Sequence, residues 1–150
     1  MRALLQRVTE GAVEIKDKNS FAEIGPGLVL LLGIKDTDNE DDVNFVADKC
    51  CNLRIFEDEN EKMNLSVRDI GGEVLIISQF TLYGETKKGN RPSFTEAARP
   101  EKAIPLYEKF IERVANNIGR ERVKTGEFGA MMNVKIMNDG PVTVFVESKN

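Results

Sequence analysis

The sequence predicts an α/β fold in which two main helices cover a largely β body. Three observations lead there. Most apolar residues fall in short alternating or unbroken runs of strand length. Only two stretches carry apolar residues at helical spacing over a helix-sized span. No repeat, linker or low-complexity segment interrupts the 150 residues, so a single domain over 1–150 is expected.

In chain order, Arg2–Thr9 and Ala12–Ile15 read as two strands joined at Glu10-Gly11. Gly25-Pro26-Gly27 breaks the chain before Leu28–Ile34, whose unbroken apolar character predicts a strand buried on both faces. Asp36-Thr37-Asp38-Asn39 offers several N-cap side chains for a helix from Glu40 to Cys51, with Val43, Val46, Ala47 and Cys50 on one stripe. A short strand at Leu53–Phe56 and an acid-rich surface loop at Glu57–Asp69 follow. Gly71-Gly72 turns the chain into a β-prone run, Glu73–Leu82, and Lys87–Pro92 is a basic, turn-rich loop. Pro100 and Pro105 bracket the start of a second helix. It runs to Ile118, with Leu106, Phe110, Val114 and Ile118 on its core stripe and Gly119 as its stop. The remainder is β: Arg122–Thr125, then Ala130–Met137 and Val142–Glu147 on either side of a tight corner, Asn138-Asp139-Gly140-Pro141. Gly and Pro together make a corner with outward-facing carbonyls, and on these residues alone an ordinary turn between strands is the reading.

Composition narrows the chemistry. An apolar content of 41% suffices for a core, while the longest unbroken apolar run, Leu28–Leu32, is far too short to cross a bilayer. Met1–Arg7 has neither an extended apolar stretch nor a small-residue cleavage site, so a cytoplasmic protein with no membrane partner is expected. Cys50 and Cys51 are adjacent, which suits neither a disulfide nor metal-ligand spacing, and both read as reduced thiols. There is no histidine, which excludes Ser-His-Asp and Cys-His catalysis and every His-containing metal site. The carboxylates of Glu57, Asp58, Glu59 and Glu61 match no EF-hand and read as a solvated face. No metal and no cofactor is expected. A catalyst built from this chain uses carboxylates, hydroxyls, lysines, backbone dipoles or groups on its substrate. The net charge of −4 argues against tracking along duplex nucleic acid, but not against gripping the unpaired tip of an RNA.

Three stretches are candidates for chemistry. Ser78-Gln79-Phe80-Thr81 places polar groups at the end of a strand that is apolar up to Ile77, where α/β folds often carry functional side chains. The alternative is that Gln79 and Thr81 merely face outward while Phe80 and Leu82 face the core. The basic loop is the best phosphate-contact candidate, and is also what a solvated surface loop looks like. Phe128, between Gly126 and Gly129, is either a surface on which a base stacks or a plug over the core.

Six stretches together resemble the D-aminoacyl-tRNA deacylases of the bacterial D-tyrosyl-tRNA deacylase type, over essentially the whole chain. They are Met1-Arg2-Ala3 with Gln6-Arg7-Val8, Ile24–Leu28, Ser78-Gln79-Phe80-Thr81-Leu82, Lys88–Phe94, Phe128-Gly129-Ala130, and Asn138-Asp139-Gly140-Pro141-Val142-Thr143. With the strands above, the resemblance implies a mixed, largely antiparallel, barrel-like body of layered sheets. It implies a homodimer that hydrolyses the ester between a D-amino acid, or achiral glycine, and the 3′-terminal adenosine of tRNA. Gly140-Pro141 is then cis and reaches into the partner subunit's pocket for chiral selection. Ser78, Gln79, Phe80 and Thr81 line that pocket, with Phe128, Ala130 and Met131 near the adenosine.

Thr81 is the obvious protein nucleophile, yet no histidine exists to activate it and no lysine or carboxylate sits beside it in the motif. Substrate assistance is therefore the preferred route: the adenosine 2′-hydroxyl helps to activate water, and backbone N–H groups around Phe80 and Thr81 hold the oxyanion. Two other classes compete with it. One is a non-catalytic nucleic-acid-binding module, supported by the basic loop and Phe128. The other is a metal-dependent hydrolase built on the acidic loop.

Overall fold

The computed structural model describes residues 1–148. Its centre is β1 (Arg2–Ile15), a single strand of 14 residues rather than the expected pair. Gly11 is no turn. It sits where a Cβ would come within 2.6 Å of Val29 Cγ2, so glycine there lets neighbouring strands pack closely while the strand runs on. One edge of β1 is shared between β2 (Ser20–Ile24), paired with Gly11–Ile15, and β3 (Gly27–Gly33), paired with Arg2–Val8. Both partners are antiparallel. β2 is not evident in the sequence because its residues are mostly exposed and carry no clean alternation.

Two helices and the remaining strands complete the body. α1 (Glu40–Asn52) begins at Asn39, whose side chain accepts from the Asp41 and Asp42 N–H groups while Asp42 accepts from the Asn39 N–H at 2.8 Å, a reciprocal cap. The acid-rich segment is not a bare loop: β4 (Phe56–Glu57) pairs with β5 (Met63–Leu65), and Asp58 Oδ1 accepts the Asn60 and Lys62 N–H groups between them. β6 (Glu73–Ser78) lies parallel to β3. It stops four residues before the predicted end, because Phe80–Tyr83 winds into a 3-10 turn. α2 (Pro100–Ile118) ends at Gly119, and β7 (Val123–Thr125) lies parallel to β6.

β8 (Met132–Glu147) pairs antiparallel with β1 almost end to end. The predicted corner therefore does not turn the chain back. Both halves run alongside β1, and register shifts between Gln6 and Val8 and between Val8 and Glu10 let the intervening residues bow out as an elbow.

The sheet has a core on each face. Ala3, Leu5, Leu28, Leu30, Leu32, Val74 and Ile76 meet α1 and α2 through Val43, Val46, Phe110 and Val114. On the other face Val8, Val13, Ile24, Val29, Leu75 and Ile77 pack with Met132, Val134 and Ile136. Residues from one face of strands at both ends of the sheet touch each other there, so the sheet is curled into a nearly closed, barrel-like wall. β3 is buried on both faces, as its unbroken apolar run predicts.

Candidate active site

A cavity of about 320 Å³ opens where β6 ends. Ile77, Ser78, Gln79 and Phe80 form one wall, Phe128–Met131 the opposite wall, and Met132 and Val134 of β8 the side. Its floor is apolar: Leu32 lies near the end of β3 and Ile34 just beyond it, and Ala98 and Ala103 flank the start of α2. These floor residues were not picked out from the sequence. Nothing separates them there from ordinary core positions, apart from two small side chains beside a helix start.

Local structure explains the polar wall. The Gln79 N–H donates to the Leu32 carbonyl at 2.7 Å, which fixes the end of β6 against β3. The chain then tightens into the 3-10 turn, so the first donors of that turn, the Phe80 and Thr81 N–H groups, have no acceptor among the described residues. Gln79 Nε2 donates to Thr81 Oγ1. Thr81 itself is exposed and does not line the cavity; it touches the site through Gln79.

The opposite wall is steadied from the core. Tyr107 of α2 is buried, and its hydroxyl donates to the Ile76 carbonyl at 3.1 Å. Burial pushes that phenol up to about 12, so it is a neutral donor throughout the physiological range. Its ring lies 5.8 Å from that of Phe128, tilted by 57°. Phe128 is half-buried, between the two roles the sequence left open. Met131 is among the most exposed apolar residues, at 71%. The sequence-predicted Ser78, Gln79, Phe80, Phe128, Ala130 and Met131 are thus brought together.

Gly140 and Pro141 are not. They lie exposed on the β8 elbow, with a cis peptide bond between them. Gly140 lies six positions beyond Val134 of the cavity along one strand, a span of roughly 20 Å at about 3.3 Å per residue. Gly140 has a φ of 133°, and a Cβ on it would come within 2.8 Å of Val142 Cγ2 and 3.1 Å of Arg7 Nη2.

Arg7 and Asn138 hold the elbow. Arg7 is 5% exposed; its Nε donates to the Asp139 carbonyl at 3.0 Å and its Nη1 to the Ile55 carbonyl at 2.8 Å. The Asp139 carboxylate stands 3.5 Å from Nε. Asn138 Oδ1 accepts the Val142 N–H at 2.8 Å, and its Nδ2 donates to Thr143 Oγ1 at 3.2 Å. Neither residue was assigned a positioning role from sequence. Arg7 carried the signal, since Ala3, Leu5 and Arg7 share one face of a strand by period two, which places a cation on a core-facing row.

The other candidates sort simply. Lys87, Lys88 and Arg91 are exposed on the segment that leaves the 3-10 turn. Among the described residues no acidic cluster is arranged to hold a metal ion, and Glu57 faces Arg7 at 3.9 Å.

Comparison with known proteins agrees over the full length. The model of a family described as D-Tyr-tRNA(Tyr) deacylase matches residues 4–147. A D-aminoacyl-tRNA deacylase of Flavobacterium psychrophilum is 52% identical over 150 residues, covering 100% of this chain and 99% of the relative. One from Shouchella clausii is 57% identical, covering 99% of this chain and 100% of that one. Among solved structures, a protein named c-Myc DNA Unwinding Element Binding Protein superposes with a TM-score of 0.93 at 41% identity, over 100% of both chains.

Proposed function

The chain belongs to the D-Tyr-tRNA(Tyr) deacylase family, and from that premise we propose that it hydrolyses the ester linking a D-amino acid, or glycine, to the 3′-terminal adenosine of tRNA. The observation that carries this reading is the convergence of Ser78, Gln79 and Phe80 with Phe128, Ala130 and Met131 on one largely apolar cavity, in a chain without histidine. The adenosine packs toward Phe128, Ala130 and Met131, and the acyl carbonyl lies against the start of the 3-10 turn. Water adds to the carbonyl carbon while its proton passes to the ribose 2′-oxygen, whose own proton is relayed to O3′ as that oxygen departs. The Phe80 and Thr81 N–H groups, free of other acceptors among the described residues, donate to the oxyanion. The bond to O3′ then breaks, O3′ takes a proton, and free amino acid and tRNA leave. The chain acts as one domain in the cytoplasm. None of its described helices is long and apolar enough to cross a membrane.

Selection falls to the elbow. With roughly 20 Å of strand between them, the elbow of one chain cannot enter its own cavity, so it serves the cavity of a second copy across a two-fold axis. Its carbonyls receive the substrate's α-ammonium. An L-residue held there drives its side chain into the elbow, whereas a D-residue or glycine does not. A filter made of main chain held by Arg7 and Asn138 loses no rotamer entropy on binding, and it ignores side-chain identity. The experiment is deacylation of D-Tyr-tRNA, Gly-tRNA and L-Tyr-tRNA side by side. The expected outcome is turnover of the first two and survival of the third; equal hydrolysis of D- and L-esters refutes the filter.

The 41% identical solved structure is that of a protein named for binding a DNA element, which favours a second reading as a nucleic-acid-binding module. Release of amino acid over many turnovers at catalytic protein concentration separates the two, since a binder releases none.

A further inference from the structure

The segment that leaves the cavity wall is charged unlike the rest of the chain. Glu85 and Ser93 exchange backbone hydrogen bonds of 2.7 and 3.0 Å, closing a small exposed flap. Lys87, Lys88 and Arg91 lie on it with no acidic residue between Glu85 and Glu96, in a chain whose net charge is −4. None of the three has a salt-bridge partner among the described residues; the same holds for scattered cations such as Lys16, Lys62 and Lys124, so it is the clustering of three without an intervening acid that sets the segment apart. The nearest acid, Glu85, has one carboxylate oxygen taken by the Lys87 backbone N–H at 2.8 Å.

At the base of the flap sits an aromatic ring, Phe94, that the function proposed above leaves unused. The Phe94 ring meets that of Phe80 edge-on, with centroids 5.2 Å apart and planes at 74°. It lies over Gly84, where a Cβ would come within 2.9 Å of the ring, so a larger residue at that position displaces it. Phe80 is 56% exposed and Phe94 37%, both unusually open for phenylalanine. Since Phe80 also lines the cavity, a path runs from the cavity across two rings to three cations without an ion-pair partner among the described residues. Aromatic faces beside exposed cations are what an unpaired nucleic-acid strand requires, because every base has a π-face and every linkage a phosphate. A surface flap selected only for solubility needs no such rings beside it.

We propose that Phe94 with Lys87, Lys88 and Arg91 forms a second subsite, which grips the single-stranded RNA on the 5′ side of the terminal adenosine. Phe94 stacks a base, and the three cations take phosphates. The inference rests on the reading that the cavity holds that adenosine, and it adds how the strand beyond it is held.

The test is equilibrium binding of a 5′-labelled, single-stranded oligoribonucleotide ending in adenosine, measured over a range of salt concentrations. Removing one cation that neutralises a phosphate of a single strand reduces the slope of log K against log salt by about 0.7, so a Lys87→Ala/Lys88→Ala/Arg91→Ala variant should lose about 2 from the slope. Its affinity at low salt should fall by roughly one to two orders of magnitude. Exchanging each cation for the other basic residue should restore the slope. Phe94→Leu should weaken the strand roughly tenfold without changing the slope, as removal of one stacking ring does. Affinity for adenosine alone, which lacks the phosphates, should be unaltered by the triple substitution. An unchanged slope in the triple variant overturns the subsite, as does an equal loss for strand and adenosine. So does a Phe94→Leu variant that alters self-association but not RNA affinity. These readings do not depend on turnover. A chain that binds the strand as described but cleaves no ester sinks the hydrolysis and leaves the subsite, and a triple variant with wild-type slope and full hydrolysis does the reverse.

Discussion

The Thr81 hydroxyl accepts a hydrogen bond from the side-chain amide of Gln79, which is no base. Gln79 Nε2 occupies one of its lone pairs and cannot remove its proton, and no residue of the cavity wall is a base. Thr81→Ala is therefore expected to reduce kcat/KM on D-Tyr-tRNA by less than about tenfold, while a tRNA ending in 2′-deoxyadenosine should lose about 10²–10⁴, the range of a general acid–base contribution. A dead Thr81→Ala variant that cleaves the deoxy ester normally would reverse the assignment. The two thiols are equally unsuited to chemistry. Burial pushes Cys51 up to about 11, and Cys50 is raised further by burial and by Cys51 beside it. Neither should be alkylated by iodoacetamide at pH 8 in the folded chain, and both should be after denaturation, as read by mass; modification of the native protein at either position refutes this. At this scale the sequence was informative mainly through what it lacks. The absence of histidine leaves backbone donors as the groups able to hold an oxyanion, whereas for Arg7 only the core-facing position is legible, because nothing in the chain announces which carbonyls a folded guanidinium meets.

Elements were legible wherever local chemistry decides them. Both helices lie within a residue of their expected ends, since Asn39, Pro100 and Gly119 set those ends through capping and φ alone. The misplaced elements were decided from a distance. Phe80 and Leu82 alternate as in a strand, but the hydrogen bond to Leu32 and the coiling beyond it end β6 at Ser78, and the same coiling exposes the donors assigned to the oxyanion. The elbow is similar: only its pairing to β1 on both sides shows that it bows out of one strand. The link between helices offers a direct test of packing. Arg113 of α2 donates to both oxygens of Asp48 on α1, at 2.8 and 2.7 Å, and Asn117 donates to the same carboxylate at 2.9 Å. The Arg113 guanidinium, and after it Asn117, holds Asp48 down to about 2 from 3.8. Because the folded value lies below the unfolded one, the stabilisation is fully present above pH 4 and is lost as pH falls from about 4 to about 2. The Asp48 side chain is 40% exposed, so solvent screening keeps the effect below about 1 kcal/mol. Asp48→Asn should lower the urea midpoint slightly at pH 7 and leave it unchanged near pH 2; a difference that persists undiminished at pH 2 assigns the loss to packing instead of charge.

At the scale of the molecule, cavity and elbow lie at separate places along one strand, joined by β8 yet separated by roughly 20 Å. A strand paired to β1 along most of its length is stiff, so no local motion brings one to the other. If both are needed for one reaction, two copies must supply them, and an isologous pair does so twice. That arrangement predicts complementation. Ala130→Trp fills the cavity but leaves the elbow intact. Gly140→Ala leaves the cavity open but sets a side chain at a φ of 133°, against Val142 and Arg7, and deforms the elbow. In a homodimer of either variant each site lacks one part, so Ala130→Trp should be inactive and Gly140→Ala should lose D-over-L discrimination. When the two are unfolded together and refolded at equal amounts, half the dimers are mixed. Each mixed dimer holds one open cavity facing one intact elbow, which restores about one site in four. The measurement is discriminating hydrolysis of D-Tyr-tRNA over L-Tyr-tRNA before and after mixing. Recovery toward a quarter of the wild-type value supports a site shared between subunits. No recovery, from a mixture shown by mass to contain the mixed dimer, means that each chain completes its own site and that the elbow does not select in trans.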